Sequence, residues 1–148
     1  MDIRVQAAPF DPGAILTEFT ARQTAAGAVV SFTGLTRDLD GTLTALEIEH
    51  YPGMTETALR SIAQEALNRW NLSDILVLHR YGAIAPQAPI MMVATASPHR
   101  KAAFEAADFL MDYLKSRAPF WKKERTASGA TWVAATDADE AALNAWKS

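Results

Sequence analysis

Residues 42–50 alternate strictly, with Leu46 and Ile48 on one face and Glu47 and Glu49 on the other, the period-two signature of a half-buried strand. Segments 3–6, 28–33, 74–81 and 90–95 are apolar, rich in Val and Ile, and predict further strands. A different period governs residues 55–70. Leu59, Ile62, Ala63, Ala66, Leu67 and Trp70 recur three or four apart, as one face of a helix does. Phe104, Ala107, Leu110, Met111 and Leu114 repeat that spacing and predict the buried stripe of another helix.

Punctuation fixes the ends. Asp11-Pro12 pairs an N-cap with proline at the first helical position and predicts a helix to about Thr24, ending near Gly27. Ser97-Pro98 repeats the signature for the helix that runs to about Ser116, and Thr55 is the expected cap of the helix that ends at Trp70. Pro119 disfavours helical geometry at Ala118. Asp38-Leu39-Asp40-Gly41 is a turn cluster, and Tyr51-Pro52-Gly53 breaks the chain. Strands over 121–126 and 131–135 form a hairpin about Ser128-Gly129, and 137–146 is a short terminal helix. Helices and strands without strict alternation predict an α+β fold, one domain over residues 1–148.

Composition narrows the chemistry. The chain has fourteen Lys and Arg against seventeen Asp and Glu, a net charge of −3, which argues against general nucleic-acid binding. There is no cysteine, so a disulfide, a thiolate metal site, a cysteine nucleophile and a persulfide carrier are all excluded. Three histidines, spaced at 50, 79 and 99, do not suggest a metal site, and neither metal nor cofactor is expected. The first residues carry no apolar signal region and no apolar run reaches membrane-spanning length, so the expected address is the cytoplasm.

Charge is concentrated in one place. Between Lys115 and Arg125 stand five cations and one acid, Glu124, a local +4 that leaves −7 for the rest of the chain. A compact basic tract with Pro119, Phe120 and Trp121 inside it suits one anionic ligand. Lys115 ends a polar helical stripe of Lys101, Glu105, Asp108 and Asp112, and by itself reads as a helix C-terminal cation pairing with Asp112 and the dipole. In the following strand Lys122 and Glu124 face one way, and Trp121, Lys123 and Arg125 the other. Only one of the adjacent lysines can therefore share a pocket with Lys115. Lysines crowded by cations beside aromatic walls have lowered pKa values and serve in acid–base work. His99 and Arg100 lie in the expected first turn of a helix, where free N–H groups suit phosphate. Arg37 stands where a strand gives way to a turn. His50 reads as structural and His79 as a half-buried strand residue.

Several motifs in fixed order carry a resemblance. Phe32-Thr33-Gly34 with Arg37, residues 49–56 (Glu-His-Tyr-Pro-Gly-Met-Thr-Glu), His99-Arg100 and residues 111–122 (Met-Asp-Tyr-Leu-Lys-Ser-Arg-Ala-Pro-Phe-Trp-Lys) together resemble the large, catalytic subunit of molybdopterin synthase. The resemblance implies an α/β hammerhead fold. It also implies a homodimer at the core of a heterotetramer, with a small ubiquitin-like sulfur-carrier subunit at each end. The carrier's C-terminal Gly-Gly thiocarboxylate would enter a pocket and give sulfur to cyclic pyranopterin monophosphate, two transfers making the dithiolene of molybdopterin. On that footing Lys115 is the implied catalytic lysine and Lys122 its helper. Arg37, His99, Arg100 and Lys123 complete the implied substrate-binding set, with the neighbouring subunit as a source of some contacts. Leu35 and Lys123 depart from the pattern, standing where relatives can carry lysine and arginine. Thr136 falls where a basic residue can occur. The alternative from the residues alone is a non-catalytic module that binds a phosphorylated metabolite or docks a carrier.

Overall fold

The computed structural model describes residues 1–38, 40–133 and 136–147. Eight strands and four helices follow one another as β1 (Asp2–Gln6), α1 (Pro12–Ala21), β2 (Ala28–Leu35), β3 (Leu43–His50), α2 (Met54–Trp70), β4 (Asp74–Arg80), β5 (Gly82–Ile84), β6 (Pro89–Ser97), α3 (Arg100–Arg117), β7 (Phe120–Thr126), β8 (Gly129–Val133) and α4 (Asp137–Asn144). The strands form two four-stranded sheets, ordered β1-β4-β6-β2 and β5-β3-β7-β8. Among the described residues only β1 and β4 run parallel; all other pairs are antiparallel. The α+β expectation holds.

The first sheet is covered on both faces, and the period-two rule shows how. Leu76, Leu78, Met92, Ala94 and Ala96 turn towards Ile15 and Phe19 of α1. Ile75, Val77, Met91 and Val93 turn the other way, into a larger core with Leu59 and Ile62 of α2 and Phe109 and Leu110 of α3. Strand β4 therefore reads as an unbroken apolar run because neither of its faces meets water. Leu46 and Ile48, the inward face predicted for β3, join the same core from the second sheet. On the opposite face Glu47 pairs with Arg125 of β7.

Local chemistry explains most boundaries and corrects three expectations. The Asp11 carboxylate accepts from the N–H groups of Gly13 (3.0 Å) and Ala14 (3.3 Å), as expected, although α1 ends at Ala21. Thr55 does not cap α2. Its buried hydroxyl bonds both backbone groups of Tyr51 (2.8 and 3.1 Å), and Gly53, at φ 85°, takes the cap position with its N–H on Glu56 (2.7 Å). Ser97 does not cap α3 either. It is still paired in the sheet, its hydroxyl donates to the His99 carbonyl, and extended His99 precedes the first turn. Phe104, expected in the buried stripe, is 61% exposed, because Ala103, Ala106, Ala107, Phe109, Leu110 and Leu114 form the inward face of α3. Strand β8 ends at Val133, and residues 134 and 135 of its expected span lie outside the described residues.

Helix α4 is riveted to the end of α3. The Trp146 indole N–H donates to Asp112 (2.6 Å), its ring packs edge-on against Phe109, and Arg117 pairs with Glu140 (2.8 Å). Asp112 is thereby engaged by Trp146. No described helix is long and apolar enough to cross a membrane.

Candidate functional site

The two sheets meet at a cavity of about 470 Å³ walled by the end of β2, the start of β6, the last turns of α3 and the inner face of β7. Cross-strand register decides which lysine enters it. Lys122 stands opposite Ile48, and Glu124 opposite Leu46, so both project from the inward face of the second sheet. Lys123 stands opposite Glu47 and Trp132 on the outer face, its ammonium 4.2 Å from the Trp132 ring centre. The alternation read from the sequence is thus realised: Lys122 shares the cavity with Lys115, and Lys123 does not.

Lys115 reaches the cavity from the last turn of α3 and is largely exposed, its ammonium 3.7 Å from Asp139 in the first turn of α4. The expected Asp112 partner is displaced by this longer-range one, since Asp112 is taken by Trp146. Hydrogen bonds from Thr136, with the nearby Lys115 charge, hold Asp139 below the usual carboxylate range. Lys122 is half-buried. Loss of hydration, then the charge of Lys115, pushes its pKa down, with Asp139 pulling the other way. The two lysines are close enough for the charge of Lys115 to make the Lys122 proton easier to lose.

Strand β2 completes the wall. Gly34 lies against the side chains of Met91 and Ile90, with 3.2 Å between Met91 and the place a Cβ would occupy. An irregularity in pairing at Gly34/Leu35 turns the chain, and Arg37 then lines the same cavity. Leu35, a departure from the family pattern, is 52% exposed at the mouth and supplies no charge.

Two titratable side chains of this cavity were not singled out as site residues by sequence reasoning. Glu124 lines it from the same face as Lys122, a position the strand alternation already gave. His79 of β4 also reaches it, from beneath, its ring stacked on Phe120 with centres 3.8 Å apart. No local signal marks His79, because only the meeting of the two sheets brings it there.

His99 and Arg100 lie elsewhere. With Gly27, Pro98 and Phe104 they line a second, more open cavity of about 740 Å³ at the opposite end of α3. Fifteen residues of helix separate Arg100 from Lys115, a rise of about 22 Å. Gly27 is required there: a Cβ on it would stand 2.4 Å from the Pro98 carbonyl oxygen, and its N–H bonds the Ser97 carbonyl (2.9 Å). Among the described residues there is no cluster of three or more metal-ligating side chains.

The arrangement offers two interacting lysines, an arginine and an acid around a cavity of small-molecule size, a setting for neutralising an anion and moving a proton. Comparisons with known proteins identify the family. A family model described as MoaE protein matches residues 5–117. A molybdopterin synthase catalytic subunit of Cereibacter sphaeroides is 64% identical over 146 residues, spanning 99% of this chain and all of its own. The molybdopterin biosynthesis MoaE protein of Burkholderia ambifaria superposes with a TM-score of 0.85 at 48% identity, covering 99% of this chain and 98% of its own. Molybdopterin synthase of Staphylococcus aureus gives a TM-score of 0.81 at 32% identity over 88% of this chain and 96% of its own. The family model, the fold and these likenesses place the chain in one family: it belongs to the MoaE proteins, the catalytic subunits of molybdopterin synthase.

Proposed function

We propose that this chain, acting as one domain in the cytoplasm, transfers sulfur from the thiocarboxylate terminus of a small ubiquitin-like carrier to cyclic pyranopterin monophosphate. The observation that carries the reading is the pairing of Lys115 with a desolvated Lys122 in the cavity between the sheets. An exposed ammonium next to a lysine of lowered pKa supplies both tasks the transfer needs. Lys115 neutralises the entering thiocarboxylate, whose sulfur attacks a substrate carbon and leaves the carrier joined to it as a thioester. Water then adds to that carbonyl, and Lys115 stabilises the tetrahedral oxyanion. Its collapse breaks the acyl C–S bond, leaving sulfur on the substrate and a carboxylate on the carrier. Lys122, its pKa lowered by burial, takes the proton of the attacking water and passes it to the leaving sulfur. Arg37 anchors an anionic group of the substrate at the rim. Lys123 serves from the outer face, as a contact for the carrier rather than for the pterin.

His99 and Arg100 enter through a second copy. One chain cannot bring Arg100 and Lys115 to a single small ligand when a helix of that length stands between them. In a homodimer, each copy's His99-Arg100 cavity faces the lysine pocket of the other and holds the substrate phosphate. A carrier on each outer flank makes the heterotetramer.

The test is a single-turnover assay. Purified chain is mixed with thiocarboxylated carrier and cyclic pyranopterin monophosphate, and product is read as its fluorescent oxidised derivative. Product should require both additions. Lys115→Ala should leave folding and carrier binding intact and abolish product. Near-normal turnover in that variant removes Lys115 from the mechanism. A stable carrier complex that gives no product with the unaltered chain leaves only a docking or metabolite-binding role.

A further inference from the structure

His79 is a buried imidazole that the mechanism above leaves unused. It sits in the middle of the first sheet, opposite Met91 of β6 and Val5 of β1, and is 5% exposed. Its Nδ1 lies 2.8 Å from the Arg80 carbonyl oxygen. A carbonyl only accepts, so Nδ1 carries the hydrogen, and in the neutral ring Nε2 is left with a bare lone pair. Among the described residues Nε2 has no hydrogen-bond partner, and the His79 side chain lines the cavity that holds Lys115 and Lys122. Phe120 fixes the plane of the ring by stacking on it, and β3 buttresses Phe120 through His50.

We propose that Nε2 of His79 is the hydrogen-bond acceptor at the base of the sulfur-transfer pocket, taking an N–H of the ligand that fills it. The inference rests on the proposed reaction, and it gives the pocket a feature its cations lack. Lys115, Lys122 and Arg37 are donors only, and they hold negative groups. A peptide tail and a pterin ring both also present N–H donors, and a buried donor without a partner weakens binding. An immobile acceptor among donors therefore orients the ligand. Glu124 also accepts, but it is exposed and at the rim, and the Thr33 and Thr36 hydroxyls that line the cavity donate as well as accept.

The acceptor keeps its lone pair throughout the working pH range. Burial, then the charges of Lys122 and His50, brings the His79 pKa down to about 4, against the pull of the Arg80 carbonyl. The charged or titratable groups that face it are Lys122 and Glu124 from β7, Lys115 from α3, Arg37 after β2 and His50 from β3.

Three substitutions separate this role from a packing role. His79→Phe keeps the stacked ring and removes both nitrogens. His79→Asn can still donate to the Arg80 carbonyl but offers nothing at the Nε2 position. His79→Gln places an amide oxygen near that position. Binding of the carrier with an ordinary carboxylate terminus, and separately of cyclic pyranopterin monophosphate, is measured by calorimetry from pH 5.5 to 8. Thermal melts check each fold. His79→Phe and His79→Asn should weaken one of the two ligands by about tenfold, the worth of one buried hydrogen bond, and His79→Gln should recover most of it. The affected ligand identifies the source of the N–H, peptide or pterin. The loss should be the same at both ends of the pH range. Unchanged affinity for both ligands in His79→Phe overturns the proposal. So does equal damage in all three variants, or an effect present only at acid pH. Turnover by the unaltered chain is the control: if that fails, the reaction itself is misassigned, whatever the binding data show.

Discussion

Two inactive variants should restore each other. Arg100 lines a cavity with Gly27 and Phe104, Lys115 lines another with Lys122, and the α3 rise between them is about 22 Å. A sphere of the lysine cavity's 470 Å³ is only about 10 Å across, less than half that separation. If both residues serve one substrate, they come from different copies. Arg100→Ala and Lys115→Ala homodimers are then each inactive at both sites. In a heterodimer of the two, twofold symmetry puts both substitutions into one site and leaves the other intact, so turnover returns to about half the unaltered value per dimer. Unsorted random pairing gives about a quarter. The chains are co-expressed with different affinity tags, the heterodimer is isolated on both tags in series, and single-turnover product is compared with that of the parents. A heterodimer as inactive as its parents would place Arg100 and Lys115 in the same chain's site, or Arg100 in none, and would refute the shared-pocket reasoning.

Two further outcomes bear on the same region. Lys122→Met should stabilise the fold while abolishing turnover, because it removes a charge that burial disfavours. With the folded pKa below the unfolded one, the unfolded chain binds more protons in the interval between them. The parent's stability therefore rises with pH through that window, and the variant's advantage should shrink there; a lower melting temperature for the variant at pH 7 contradicts it. Gly27→Ala forces a Cβ onto the Pro98 carbonyl, which should cost about 1–3 kcal/mol and move His99-Arg100; an unaltered melt with full substrate affinity argues against that contact.

What the sequence revealed was mostly local. Asp11-Pro12 announced α1 because a cap and its helix are neighbours in the chain, and the inward pair Lys122 and Glu124 followed from strand alternation alone. What depended on distant segments was not legible. Strand β5 is three residues in a loop punctuated by Gly and Pro, and it exists because β3 offers it an edge. The exposure of Phe104 follows from the roll of α3 about its axis, which small alanines fix and hydrophobic spacing does not. The partner of Lys115 was expected one turn away on its own helix, but Trp146 had claimed that carboxylate from the far end of the chain. His79 shows the same limit at the site, since its neighbours Phe120 and Lys122 lie some forty residues on.

The ion pair between Lys115 and Asp139 makes ligand entry an exchange of counter-ions. The pocket already pairs one of its exposed cations, so an anion arriving at Lys115 gains only the difference between itself and the Asp139 carboxylate. A solitary monovalent anion gains little from such a swap and is readily returned to solvent. A ligand that brings further contacts into the cavity displaces Asp139 at a profit and leaves that carboxylate to its cap with Thr136. The pocket thus favours a ligand that brings a second handhold over a lone anion.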